Sequence, residues 1–313
     1  MKAVFLFPGQ GSQFVGMGKG LAQAVPEARA VFAAADAALG MPISELCFNG
    51  PREELNKTVN TQPAVLTSSI ACLRALEARG VRPDAVAGHS LGEYAALVAA
   101  RALSFTDAVQ LVRRRGQYMQ EAVPLGSGGM LAVLGLDREQ VAEVVRAASA
   151  HGVIEVANFN CPGQVVLAGQ TTALEQAVAL ARQAGARRSV MLAVSGPFHS
   201  SLMRPAGEKL AQVLQQVRLN APSLPVVGNV SADYLETAEA VRAALVRQVY
   251  SPVLWEDGIR RLLSDGARVF VEVGPGRVLT GLLKKIADRE VVALNVEDEE
   301  SLEKVVARLG EVG

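Results

Sequence analysis

Residues 88–97 read GHSLGEYAAL and place a single serine, Ser90, between Gly88 and Gly92 in the spacing G-x-S-x-G. The run before it, DAVAGH (84–89), is short and mostly apolar, which predicts a strand. The run after it, 91–100, is rich in Ala and Leu, which predicts a helix. A serine at such a turn is exposed at the carboxyl end of a strand, where open α/β sheets bind their ligands. The pattern therefore fits two roles for Ser90, a nucleophile or a simple cap of the helix.

Strand-like runs alternate with longer helical runs on both sides of this stretch. The further predicted strands are AVFLF (3–7), PVVGNVS (225–231), RVFVEVG (268–274) and EVVALNV (290–296). Helices are predicted over much of 16–38 and 62–79, and over 105–121 and 298–309. Strands joined by helical crossovers predict an α/β fold with a mainly parallel sheet that is covered on both faces.

The middle of the chain follows another order. Its predicted elements are, in sequence, strand 130–135, helix 138–149, strands 154–159 and 164–169, helix 173–185 and strand 187–194. This β-α-β-β-α-β order is that of a ferredoxin-like unit. We therefore expect a small ferredoxin-like domain, 125–196, inserted into a large α/β domain formed by 1–124 and 197–313.

The composition limits the classes of function. With 50% hydrophobic and 20% charged residues among 313, the chain can bury a sizeable core. Lys+Arg and Asp+Glu are both 31, so no net charge draws the chain to nucleic acid or to an anionic membrane. Three cysteines (Cys47, Cys72 and Cys161) without C-x-x-C spacing argue against a disulfide framework and fit a reducing cytoplasm. The apolar start MKAVFLF is too short for a signal peptide, and no apolar run approaches the roughly 18 residues of a membrane helix.

A nucleophilic serine needs a base, and the chain has three histidines. His89 is adjacent to Ser90 and should point elsewhere on a sharp turn, while His151 falls in a predicted loop of the small domain. His199, in SGPFHSSLM, lies where the chain re-enters the large domain, and it is the best candidate by elimination. Its alternative role is to cap a helix predicted over 200–217. No obvious Asp partner lies near it.

Two further stretches are candidates for binding. The stretch PGQGSQFVGMG (8–18) is rich in glycine, but Phe14 occupies a position where a G-x-G-x-x-G nucleotide loop would need glycine. Two roles remain for this stretch: it supplies backbone N–H groups near the serine, or it is an ordinary turn. LVRRRGQYM (111–119) carries three arginines at successive helical positions, which point in different directions. One of them could turn inward to meet an anion, and a solvated face is expected for the other two.

Several motifs, in this order, resemble the acyltransferase family of fatty acid and polyketide synthesis, which includes the malonyl-CoA:acyl carrier protein transacylases. They are FPGQGSQ, GHSLGEYAAL, RRRGQYMQEAVP, NFNCPGQVVLAG, PFHSSLM, NVSA, QVYSPVLWED and VEVGPG. Together they cover nearly the whole chain. The resemblance implies a large α/β-hydrolase-like domain with a ferredoxin-like insert, in agreement with the pattern of elements.

The resemblance also implies a role for each site residue. Ser90 would be the nucleophile and His199 its base, oriented by the main-chain carbonyl of Gln248, and Arg115 would bind the malonyl carboxylate. The remaining residues are the oxyanion-hole amides and two pocket positions: Gln10, Leu91, Asn160 and Phe198. A phenylalanine before the histidine resembles the malonyl-selective form of the family.

The reaction implied is ping-pong transfer of a malonyl group from malonyl-CoA to acyl carrier protein. CoA is then part of a substrate, and neither a cofactor nor a metal is expected. A monomer is expected, with malonyl-CoA and an acidic acyl carrier protein as partners, so a local basic patch should border the pocket. The alternatives are a polyketide-type acyltransferase, a serine thioesterase that gives the acyl group to water, and a non-catalytic carrier-protein docking module.

Overall fold

The structure is a computed structural model that describes residues 2–124 and 126–310. Its nine strands in these ranges are β1 (Lys2–Phe7), β2 (Ala85–Gly88), β3 (Gly128–Leu134), β4 (Ile154–Cys161), β5 (Gln164–Gln170), β6 (Arg188–Met191), β7 (Val226–Val227), β8 (Ala267–Val273) and β9 (Val292–Val296). The helices of the first half are α1 (Lys19–Ala24), α2 (Pro26–Leu39), α3 (Ile43–Asn49), α4 (Arg52–Leu55), α5 (Thr58–Ala78), α6 (Gly92–Ala99) and α7 (Phe105–Glu121). Those of the second half are α8 (Arg138–Ala148), α9 (Thr171–Gln183), α10 (Arg204–Leu214), α11 (Ala238–Gln248), α12 (Trp255–Ser264), α13 (Val278–Ile286) and α14 (Glu299–Gly310).

The large sheet has the order β7-β2-β1-β8-β9, and every pair of neighbouring strands is parallel. Both faces of β1 are covered, and because successive side chains of a strand point to opposite faces, alternate residues of β1 enter two different cores. Phe5 and Phe7 belong to the core under α2, α5 and α6. Val4 and Leu6 belong to a second core, with apolar side chains of α12 and α13.

The small sheet is antiparallel, in the order β4-β5-β3-β6. Helices α8 and α9 cover one of its faces, where Leu131, Val133 and Leu167 are buried. The alternate side chains, Met130, Val166 and Ala168 among them, pack against the core of the large sheet. Phe159 donates its N–H to the carbonyl of Val253, 2.9 Å away, which ties β4 to the segment after α11.

The predicted fold class is confirmed: an α/β fold of the α/β-hydrolase type with a mainly parallel sheet and a ferredoxin-like insert. The domain limits of 125–196 stay a prediction, and position 125 itself lies outside the described residues. Two predicted strands have at most half of their expected length. The strand predicted over 187–194 is Arg188–Met191, and that over 225–231 is Val226–Val227. Among the described residues, no helix is both long enough and apolar enough to cross a membrane.

Candidate active site

Ser90 stands on a strained turn between β2 and α6. Its φ is +52°, in the left-handed region that non-glycine residues seldom adopt. A Cβ on Gly88 would overlap the carbonyl of Gly92, and one on Gly92 would overlap the carbonyl of Phe7. The two glycines of G-x-S-x-G are therefore required by the close approach of three backbone segments. Asn229, just after β7, completes the turn, since its Oδ1 accepts the N–H of Ser90 at 2.6 Å.

His199 lies within hydrogen-bond distance of that serine. The Oγ of Ser90 is 2.7 Å from Nε2 of His199, and Nδ1 of the same ring is 2.7 Å from the main-chain carbonyl of Gln248. Because a carbonyl can only accept, Nδ1 carries the ring proton and Nε2 is free to accept from the serine hydroxyl. No carboxylate among the described residues touches the ring. The carbonyl thus occupies the orienting position that Asp holds in other serine triads.

The surroundings of His199 favour the neutral imidazole. The residue is only 4% exposed. Burial, aided by the positive charge of Arg115, lowers the pKa of His199 to about 3. A ring that stays unprotonated at neutral pH can act as a general base.

Arg115 is the one arginine of its run that points inward. Helix α7 begins after Ser104, whose Oγ accepts the N–H of Asp107, and its buried stripe runs through Ala108, Val112, Arg115 and Met119. Position 115 therefore faces the core at 2% exposure, whereas Arg114 is exposed and Arg113 is half-buried. The spacing of i, i+4, i+7 and i+11 accounts for this difference.

The guanidinium of Arg115 is held by neutral oxygens. Nη1 donates to Oε1 of Gln62 at 2.8 Å, and Nη2 donates to Oε1 of Gln248 at 2.8 Å and to Oγ of Ser90 at 3.2 Å. Its Nε has no partner among the described residues. No described carboxylate is within ion-pair distance, so the charge beside Ser90 is available to an anionic ligand.

Two backbone amides lie at the carboxyl edge of the large sheet beside the serine. Gln10 follows β1, Leu91 follows Ser90, and both line the same cavity. The next three amides, of Gly92, Glu93 and Tyr94, bond to the carbonyls three residues before them, while the amides of Gln10 and Leu91 have no acceptor among the described residues. The side chain of Gln10 donates to Oγ1 of Thr58 at 3.2 Å. Free N–H groups at a helix start can stabilise a developing oxyanion.

The cavity between the two sheets has a volume of about 220 Å³. Phe198 and Asn160 line it, together with Ser90, His199 and Arg115. Asn160 comes from the small sheet, and its Oδ1 is 2.9 Å from Nε2 of the neighbouring His89. That contact accounts for the orientation of His89 away from the serine. His151 lies in a short 3₁₀ helix, Ser149–His151, and does not line this cavity.

Sequence reasoning did not find three polar residues of this site: Gln62, Glu93 and Asn229. Gln62 and Glu93 lie inside helical runs, where nothing local distinguishes them from ordinary surface residues. Asn229 belongs to the NVSA motif but lies inside the strand predicted over 225–231, so nothing local indicates that its side chain turns toward Ser90.

Within 2–124 and 126–310, no group of three or more His, Cys, Asp or Glu side chains could hold a metal ion. The three cysteines are free and buried. Burial raises the pKa of the Cys47 and Cys72 thiols, which keeps them protonated.

Comparison with known families gives one consistent result. The sequence matches the family described as acyl transferase domain over residues 4–308. The chain is 49% identical over 311 residues to the malonyl CoA-acyl carrier protein transacylase of Bacillus subtilis (strain 168), with 99% of this chain and 98% of that one covered. It is also 49% identical to the protein of the same name from Escherichia coli (strain K12), with 91% and 92% covered.

Solved structures agree. The crystal structure of malonyl CoA-acyl carrier protein transacylase from Clostridium perfringens superposes with a TM-score of 0.96 at 44% identity, over 100% of this chain and 98% of that one. A malonyl-transacylase solved in complex with its type II PKS acyl-carrier protein gives a TM-score of 0.96 at 44% identity, with 98% and 100% covered.

Proposed function

Because this chain belongs to the acyl transferase family and is similar over nearly its whole length to malonyl CoA-acyl carrier protein transacylases, we propose that it transfers a malonyl group from malonyl-CoA to the phosphopantetheine thiol of acyl carrier protein. The observation that carries this proposal is Arg115 in the cavity of the Ser90–His199 pair, with Nη2 3.2 Å from Oγ of Ser90. A serine–histidine pair alone suits any acyl transfer. A buried arginine without a carboxylate partner suits an acyl group that carries its own carboxylate.

In the first half-reaction, Oγ of Ser90 attacks the thioester carbonyl while Nε2 of His199 takes its proton. The carbonyl oxygen becomes an oxyanion, stabilised by the amides of Gln10 and Leu91. The C–S bond then breaks, His199 gives its proton to the departing CoA sulfur, and the malonyl group remains on Ser90 as an ester.

The second half-reaction runs through the same groups. His199 deprotonates the phosphopantetheine thiol, the thiolate attacks the ester carbonyl, and the same amides hold the second oxyanion. When the C–O bond breaks, Oγ of Ser90 recovers the proton from His199. Both half-reactions therefore use one base, which the carbonyl of Gln248 holds in the correct tautomer.

The residues of the cavity wall agree with malonyl as the acyl group. Phe198 and Asn160 line the cavity, and a phenylalanine directly before the histidine resembles the malonyl-selective form of the family. No cofactor or metal takes part in this scheme, and CoA enters as part of the substrate. Three buried, free cysteines agree with a reducing, cytoplasmic setting.

Covalent labelling tests the proposal. Malonyl-CoA alone should acylate Ser90 stoichiometrically, and acyl carrier protein should then remove the label as malonyl thioester; intact mass and peptide mass spectrometry measure both steps. Ser90→Ala should abolish labelling. Ser12→Ala is the matched control, because Ser12 lines the same cavity but donates its hydroxyl to the carbonyl of Gly9. Label on another residue, or release of free malonate in place of transfer, would count against the proposal.

A further inference from the structure

Glu93 is a buried acidic residue that the reaction as described does not use. It lies in the first turn of α6, three residues after Ser90, and its exposure is 0%. No lysine or arginine among the described residues pairs with it directly. Its carboxylate is held by two N–H groups, the side-chain amide of Gln248 and the main-chain amide of Asn229, the latter at 3.4 Å. Burying a carboxylate without a cation costs free energy. This cost suggests that Glu93 has a function at its position.

The contact with Gln248 fixes the orientation of that side-chain amide. Nε2 of Gln248 donates to Glu93 and, at 2.8 Å, to the carbonyl of Ser90. The carbonyl of Ser90 can only accept, and so can Glu93 in its ionised form, so the amide oxygen of Gln248 faces the other way. There it accepts from Nη2 of Arg115 at 2.8 Å. A flipped amide would present N–H groups to a guanidinium that can only donate.

Glu93 is linked to Arg115 through Gln248 but does not contact it directly. One amide group separates the carboxylate from the guanidinium, which also stacks on the ring of Tyr94 at 5.6 Å. A carboxylate in direct contact would neutralise Arg115 and compete with an anionic substrate. Acting through Gln248, Glu93 can hold the arginine in place and leave its charge unpaired in the cavity.

On these contacts, and resting on the proposed function, we propose that Glu93 is a positioning residue for acyl-group selectivity. It holds the side chain of Gln248 in the one orientation that aims Arg115 at the carboxylate of the malonyl group. Removing this constraint lets the guanidinium move within the cavity, which weakens its interaction with the malonyl carboxylate. An acetyl group, which has no carboxylate, is not affected by that movement.

Glu93→Gln is the direct test, because a glutamine is nearly the same size but has only one acceptor oxygen. Two N–H groups point at Glu93, so the variant must either leave the amide of Asn229 without an acceptor or let the amide of Gln248 flip. The first outcome acts through Ser90 and lowers malonyl and acetyl transfer equally. The second lowers malonyl transfer alone, so the malonyl-to-acetyl ratio separates a positioning role from a structural one.

We expect Glu93→Gln to raise KM for malonyl-CoA on the order of tenfold, with a smaller change in kcat and with acetyl-CoA kinetics within about twofold. Glu272→Gln is the matched control. Glu272 is also a buried carboxylate of the large sheet, but it accepts from Leu279 and Thr280 and does not contact Gln248 or Arg115. Its variant should leave the malonyl-to-acetyl ratio unchanged.

A double-mutant cycle with Gln248→Met completes the test, since methionine keeps the shape and the main-chain carbonyl but loses the amide. In that background, Glu93→Gln should not lower the ratio further. If Glu93→Gln does not fold, Glu93→Asp decides: it keeps both acceptor oxygens at a shorter reach, and a ratio below that of the parent protein is expected.

An unchanged ratio in Glu93→Gln or Glu93→Asp, an equal loss for both acyl groups, or an additive effect in the cycle would overturn the role of Glu93. The parent protein is labelled with malonyl-CoA in the same assay. If Ser90 of the parent takes up no malonyl group, the proposed function fails, and this result is distinct from an unchanged ratio with a labelled parent.

Discussion

At the scale of single residues, Arg115 is the group on which we expect the choice of substrate to depend. It is buried, it contacts Ser90, and only amide oxygens and a hydroxyl accept its hydrogen bonds. Arg115→Ala leaves a bound malonyl carboxylate desolvated and unpaired, which costs about 2–5 kcal/mol. Malonyl transfer should then fall about 30- to several-thousand-fold, while the slow transfer of acetyl changes little. Transfer rates with malonyl-CoA and acetyl-CoA measure the difference.

The neighbouring arginines of α7 provide the controls for this prediction. Arg114→Ala and Arg113→Ala remove the same charge from exposed and half-buried positions, so both variants should keep the malonyl preference. Arg115→Lys keeps the charge but not the planar fork and should recover only part of the malonyl activity. An equal loss of both acyl groups in Arg115→Ala would show that the residue is structural.

The pH dependence of acylation reports on His199. Burial and the charge of Arg115 lower the pKa of His199 to about 3, below the usual 6.5. A general base loses activity only when it is protonated, so kcat/KM for acylation by acetyl-CoA, which has no carboxylate for Arg115 to bind, should stay level as the pH falls through 6.5. In Arg115→Ala the nearby positive charge is gone, the pKa of His199 rises, and the acid limb measured with acetyl-CoA should move to higher pH. Arg114→Ala should leave the limb in place; a limb near pH 6.5 in the parent protein would contradict this reasoning.

At the scale of elements, the turn from β2 to α6 depends on its two glycines. A methyl group on Gly88 would overlap the carbonyl of Gly92, and three backbone segments meet there with no side chain that could move aside. Gly88→Ala should therefore lower the free energy of unfolding by more than about 3 kcal/mol, as measured by urea denaturation.

Gly281→Ala is the opposite case for the same measurement. Gly281 is an exposed residue inside α13, and a Cβ there would meet nothing within 4 Å. Alanine should raise the free energy of unfolding by about 0.5–1 kcal/mol. A similar loss in both variants would mean that the effect at Gly88 does not come from the crowded turn.

The sequence predicted best those elements whose signals are local. Helix α7 was predicted over 105–121 and has those limits, because Ser104 caps it and its apolar stripe is regular. The strand predicted over 225–231 is only Val226–Val227, since Asn229 turns inward to bond Ser90 and Gly88. That contact joins residues far apart in the chain, and no periodicity could reveal it.

The same distinction holds for the site. Ser90 could be singled out because its turn has a sequence pattern, and His199 because few histidines competed with it. The family resemblance, and not the spacing, selected Arg115 and Gln248, although the apolar stripe of α7 also places Arg115 on the buried side. Glu93 and Gln62 act only through contacts between distant helices, so their roles could not be derived from the sequence.

At the scale of the whole molecule, the site lies between two units that share one core. The small sheet supplies Asn160 and Met130 to the cavity, and Gln10 and Ser90 line it beyond the ends of β1 and β2 of the large sheet. A second, open cleft of about 580 Å³ also lies between them, with Glu155 and Val156 of β4 on one side and Arg204, Arg247 and Tyr250 on the other. His199 borders both cavities and lies 2.7 Å from Oγ of Ser90, so this cleft is next to Ser90.

Two arginines make that cleft a candidate for the basic patch expected from the sequence. The side chains of Arg204 and Arg247 are exposed, and no described carboxylate forms an ion pair with either. Arg204 stacks on the ring of Tyr250, with 4.9 Å between Cζ and the ring centroid. One carboxylate oxygen of Glu155, on the opposite side of the cleft, already accepts a hydrogen bond from the N–H of Ser201 at 2.6 Å. An acidic carrier protein that docks here would bring its thiol close to His199.

Charge reversal separates docking from chemistry. The double variant Arg204→Glu/Arg247→Glu should lower the second-order rate of transfer to acyl carrier protein at least about tenfold at low salt, because steering by surface charge changes association rates by that much or more. The loss should shrink as salt is added, since both side chains are exposed and their field is screened. Acylation of Ser90 by malonyl-CoA, and transfer to free pantetheine, should stay near the parent rates, because neither requires the carrier protein. Arg82→Glu is the matched control: Arg82 is exposed, and it precedes β2 at the amino edge of the large sheet, opposite the active site. If Arg82→Glu slows transfer to the carrier protein as much as the double variant does, the docking surface lies elsewhere. If acylation by malonyl-CoA also falls in the double variant, the two arginines bind the CoA substrate and not the carrier protein.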